Sequence, residues 1–106
     1  MDRKRIEQTF CWKISSELKL FKWGIMQKSK EEIYGLAYRI DCIITIYELL
    51  AELSEKLETE ELLKCIRTPG LLTFLYGKWL KQYDSKNMEM EAAIRYAIGK
   101  MEINAA

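Results

Sequence analysis

Apolar residues recur at three- and four-residue steps along almost the whole chain, and only one Pro and five Gly interrupt them. That spacing repeats once per helical turn, and no segment shows the two-residue alternation of a half-buried strand. The sequence therefore predicts an all-α fold: a compact single-domain bundle of about five helices over residues 1–106, with helix two central. A chain of 106 residues can enclose one modest core without disulfide or metal staples.

Helix one is predicted from about Asp2 to Met26, with Ile6, Phe10, Ile14, Leu18, Phe21 and Ile25 as its core stripe. "SKEE" then places Ser29 as a cap with Glu32 three residues on, the spacing of a capping box. Helix two, about Lys30 to Leu53, carries the segment "EEIYGLAYRIDCIITIYELL". Ile33, Leu36, Ala37, Ile40, Ile43, Ile44, Ile46, Tyr47, Leu50 and Ala51 cover roughly half its circumference at ~100° per residue, so a deeply packed helix is expected. Asp41, Thr45, Glu48 and Glu52 make the narrow polar strip opposite.

Thr59 is the expected cap of a short third helix, about Glu60 to Arg67. Thr68 and Pro69 read as cap and first residue of a fourth, whose stripe is Leu72, Leu75, Tyr76, Trp79, Leu80 and Tyr83. Asp84 to Asn87 form a turn, and Met90, Ile94, Ala97, Ile98 and Met101 give helix five its apolar face.

Function classes can be narrowed by what the chain contains. Cys11, Cys42 and Cys65 are an odd number without CxxC spacing, and His is absent, so neither a zinc site nor a secreted disulfide framework is expected. No cofactor and no enzymatic activity are expected, because acid–base or nucleophilic chemistry would have to rest on perturbed carboxylates, Lys or Cys alone. No apolar run reaches the length of about 18 residues that spans a membrane, and the start lacks a signal-peptide core. A cytoplasmic protein with no membrane association is the expectation.

The net charge of +1 indicates no general affinity for nucleic acid. Its distribution is uneven: residues 1–30 carry +5, residues 31–61 carry −7 and residues 62–106 carry +3. The acidic run Glu48, Glu52, Glu55, Glu58, Glu60 and Glu61 is either a solvated helix end or a surface for a basic groove in a partner.

Trp12 and Trp23 are eleven residues apart, which places them ~20° from each other on helix one and opposite its core stripe. With Lys19 and Met26 they compose a candidate partner-binding patch of aromatic, Met and basic character. The alternative is a bend near Gly24 that turns Trp23 inward. Two readings are also open for Arg39, beside Ile43 and Ile46 at the margin of the apolar arc: a packed stem with a solvated guanidinium, or a partner contact. The candidate partner-binding residues are therefore Trp12, Lys19, Trp23, Met26, Arg39, Glu52, Glu55 and Glu58.

"FKWGIMQKSKEEIYGLAYRIDCIITIYELL", "LLKCI", "LLTFLYGKWLK" and "MEAAIRYAI" resemble a small helical family catalogued as a domain of unknown function, found in Gram-positive bacteria, their phages and mobile elements. The resemblance runs from about Phe21 to Ile98 and is carried mainly by Trp23, Glu31, Glu32, Ile33, Ala37 and Tyr38. The chain departs from it at Leu36, where the family has His, and at Ile43 and Ile44, where the family is more acidic. The resemblance transfers no catalytic residues. It implies an accessory protein that binds a host protein stoichiometrically, as anti-CRISPR inhibitors bind nucleic-acid-guided defence nucleases, working as a monomer or homodimer. Two other classes are weighed with it. One is a helix-turn-helix regulator built on helices three and four, in which "LLTFLYGKWL" offers only Thr73 and Lys78 as polar side chains, with Lys81 just beyond. The other is a self-associating structural protein.

Overall fold

The computed structural model describes residues 2–81 and 89–101. These residues form an all-helical bundle of six helices: α1 (Arg3–Met26), α2 (Lys30–Gly35), α3 (Ala37–Leu53), α4 (Thr59–Arg67), α5 (Leu71–Leu80) and α6 (Met90–Lys100). The expected turn at Asp84 to Asn87 and the stripe position Tyr83 lie outside the described residues.

α1 follows its predicted course. Asp2 caps it by accepting the Arg5 N–H at 2.9 Å, and Ile6, Phe10, Ile14 and Leu18 are buried along one face. Burial of each such side chain contributes about 1.5–3 kcal/mol, so this stripe anchors the helix far more than its cap does. The capping box at Ser29 is also formed: its hydroxyl accepts the Glu32 N–H at 3.2 Å, and its own N–H donates to Glu32 Oε1 at 3.1 Å.

The count of five helices is corrected to six because predicted helix two is divided. Leu36, with φ −104° and ψ 8°, leaves helical geometry and stands between α2 and α3. Gly35 just before it is among the poorest helix formers, which makes this the weakest point of the run. The central position belongs to α3 alone, which packs against α1, α2, α5 and α6. The wide apolar arc is not uniformly enclosed either. Cys42, Ile43, Ile46, Leu50 and Leu53 are buried, whereas Ile33, Ile40 and Ile44 are half-buried and Ala37 and Ala51 exposed.

Two local expectations change at helix ends. Glu58 rather than Thr59 precedes α4, its N–H donating to Glu61 Oε1 at 3.0 Å. Thr59 is the first helical residue and accepts from Arg3 Nη1 at 2.9 Å. Thr68 closes α4 instead of opening the next helix, and its hydroxyl donates back to the Lys64 carbonyl at 2.8 Å.

Gly70 then precedes α5 in the left-handed region, φ 59° and ψ 48°, and offers no side chain to cap it. The cap comes from α1: Glu17 Oε1 accepts the Leu72 N–H at 2.8 Å while Glu17 Oε2 lies 2.9 Å from Lys13 Nζ. Arg3 makes a second long-range tie, donating from Nη2 to the Leu57 carbonyl at 2.6 Å and pairing through Nε with Glu7 at 2.6 Å. α1 is thereby fastened by polar contacts to the start of α5 and to the α3–α4 connector, in addition to its apolar stripe.

Candidate functional site

One side of the bundle leaves apolar surface uncovered. On α1, Trp12 (72% exposed), Trp23 (65%) and Met26 (78%) face solvent, and Lys19 is exposed among them. Helical geometry requires these four to share a face once the opposite stripe is buried. The bend at Gly24 that would have turned Trp23 inward does not occur, since α1 continues to Met26.

A second apolar surface lies along α2 and α3. The break at Leu36 leaves an open groove of about 610 Å³ along α2 and α3, lined by Ile33, Tyr34, Ala37, Ile40 and Ile44 with Lys30 and Asp41. Tyr34 is 83% exposed. Between α1 and α3 a pair of hydroxyls, Ser15 Oγ and Tyr47 Oη, lie 3.4 Å apart. Ser15 stands one helical turn from both Trp12 and Lys19, and Tyr47 one turn from Ile44.

The predicted site residues do not all assemble here. Trp12, Lys19, Trp23 and Met26 do. Arg39 lies on the other flank of α3, its guanidinium 5.4 Å from the centroid of the Tyr76 ring on α5. This is a cation–π contact with a largely buried ring. Next to it Trp79 Nε1 donates to Tyr38 Oη at 3.0 Å, so Arg39 and Tyr38 both pin α3 to α5. The guanidinium in the middle of the apolar segment therefore has an intramolecular partner. Glu52, Glu55 and Glu58 are exposed at and beyond the end of α3, remote in sequence from the Trp face, with Glu58 also forming the entry to α4.

The groove was not among the sequence-based candidates. Its signal was Gly35, which marks the break, together with an apolar arc too wide for one buried face.

The two buried thiols provide no reactive centre. Cys42 and Cys65 are buried and Cys11 half-buried, all free. Burial pushes the Cys65 thiol up to about 12, with the Glu61 carboxylate adding to the effect, so it stays protonated and inert. Among the described residues no group of three His, Cys, Asp or Glu side chains is placed to hold a metal. No helix among them is long and apolar enough to cross a membrane. The chain matches no family model, no curated protein and no solved structure.

Proposed function

We propose that this protein acts by stoichiometric binding of another protein through the face formed by Trp12, Lys19, Trp23 and Met26, with the α2–α3 groove as a second contact. One observation carries the reading: Trp12, Trp23 and Met26 stand in water on one face of α1 while the opposite face of the same helix is buried in the core. Large apolar side chains exposed together on one helix face mark an interaction site, and Trp is among the residue types most enriched at binding hot spots.

The resemblance to phage and mobile-element proteins supplies the setting. In it the partner is a host defence protein, and the activity is anti-CRISPR-like inhibition of a nuclease complex by occlusion. The exposed Glu52, Glu55 and Glu58 would meet a basic surface on such a partner, away from the apolar contact.

The test is capture from nuclease-treated host lysate, followed by titration of the purified partner with wild type and with a Trp12→Ala, Lys19→Ala double variant. Both positions are exposed, so thermal unfolding should be unchanged. Loss of a hot-spot Trp should weaken the complex by about 2 kcal/mol or more, roughly 30-fold. Unaltered affinity would dismiss the face. A light-scattering mass that doubles with concentration, and halves in the double variant, would assign the same face to self-association instead.

A further inference from the structure

A separate opening lies between α5 and α6. It has a volume of about 440 Å³ and is lined by Phe74 and Lys78 from α5, Lys81 just after it, and Tyr96, Ala97 and Lys100 from α6, with no acidic side chain in its wall among the described residues. Lys78 Nζ sits 5.3 Å from the Phe74 ring centroid and Lys100 Nζ 5.6 Å from that of Tyr96. Among the described residues neither ammonium, nor that of Lys81, is paired with a carboxylate.

Helix dipoles account for only part of this charge. The C-terminal turns of α5 and α6 each present about −0.5 of an elementary charge, so among the described residues the three ammonium groups leave the wall of the opening at about +2. The rings matter as much. Tyr96 is 56% exposed, and a flat ring beside a cation offers a stacking surface that an acidic peptide would not use.

We propose that this groove binds single-stranded nucleic acid, with the Tyr96 and Phe74 rings stacking on unpaired bases and Lys78, Lys81 and Lys100 contacting the flanking phosphates. On binding, each base displaces the ammonium that now covers its ring, and that ammonium moves to the phosphate. In a duplex the base faces are already stacked on each other, so double-stranded DNA lacks what the rings select. The overall charge of +1 obscures the site because the acidic residues are concentrated between Glu31 and Glu61, outside this wall. The proposal is independent of the Trp face.

Fluorescence anisotropy of a labelled oligothymidylate of about 12 nucleotides, against the same length of duplex and against polyglutamate, tests it. Wild type should bind the single strand more tightly than the duplex, with log Kd rising against log salt at a slope of about 2, as expected for three phosphate contacts. Lys78→Gln or Lys100→Gln should each lower that slope by about 0.7. Tyr96→Ala should weaken binding about 5- to 140-fold and Tyr96→Phe should restore it. Circular dichroism melts of all variants should match wild type, and the Trp12→Ala, Lys19→Ala variant should bind the oligonucleotide normally. Absence of binding at low salt, equal affinity for duplex, displacement by polyglutamate as effective as by unlabelled strand, or full affinity in Tyr96→Ala would overturn it.

Discussion

Replacing Glu17 should damage a helix that lies far from it in sequence. Its Oε1 is the acceptor for the Leu72 N–H at the unsupported start of α5, and its Oε2 neutralises Lys13. Lost capping costs about 0.5–2 kcal/mol, and an acceptor that is charged at a helix N-terminus adds about 0.3–1 kcal/mol through the dipole. Glu17 and Lys13 are each less than a fifth exposed, so solvent screening removes only part of this. We expect Glu17→Ala to lose about 2 kcal/mol. For a chain of this length the unfolding entropy makes that a fall of about 9 °C in Tm. Glu17→Gln retains an acceptor without the charge and should lose about half as much. Urea denaturation of the two variants, and of each combined with Lys13→Met, measures the cap and the ion pair separately. A Glu17→Ala variant within 0.5 kcal/mol of wild type would show that α5 does not depend on this cap. Equal losses for Ala and Gln would show that charge, and not hydrogen bonding, carries the effect.

The two glycines nearest helix ends should respond in opposite senses. Gly35→Ala adds a Cβ into open space at the end of α2 and should stabilise by about 0.5–1 kcal/mol, whereas Gly70→Ala, at φ +59°, should destabilise by about 1–2 kcal/mol, both read from thermal melts. Alkylation followed by mass spectrometry should modify Cys11 in the native protein, with Cys42 and Cys65 reacting only on unfolding. Glu32 has its carboxyl held below the ordinary glutamate value by the Ser29 N–H and hydroxyl. Its contribution is therefore complete at neutral pH, above the unfolded value, and disappears as pH falls through the lowered one. The Tm difference between wild type and Glu32→Gln should close over that acidic interval, and a difference independent of pH would remove the capping carboxylate from the account.

Short-range regularities were legible and long-range pairings were not. The Ile6 to Leu18 stripe, the Ser29 capping box and the outward face of Trp12 and Trp23 all follow from helical spacing within a few residues, and the structure has each of them. The break at Leu36 was hidden because apolar residues continue through it without a change of phase, leaving only Gly35 as a sign. Thr68 and Pro69 fit the start of a helix as well as the end of one. Which applies depends on Glu17, whose partner Leu72 is 55 residues away. Arg39 was ambiguous for the same reason, since its aromatic partner, Tyr76, belongs to another helix. The α2–α3 groove and the lysine-lined opening are products of packing: neither is a contiguous motif, and both collect residues that periodicity alone would assign to separate faces.

The span of the Arg3 contacts bears on how the chain is made. A ribosome delivers α1 complete while the residues that hold it, Leu57 and Thr59 for the guanidinium and the buried Leu62 and Cys65 of α4, are still unsynthesised. During that interval of a few seconds only α3, itself just emerging, can cover part of the Ile6 to Leu18 stripe. The nascent protein is then at its stickiest, and the arrival of α4, followed by α5, removes the exposure in steps.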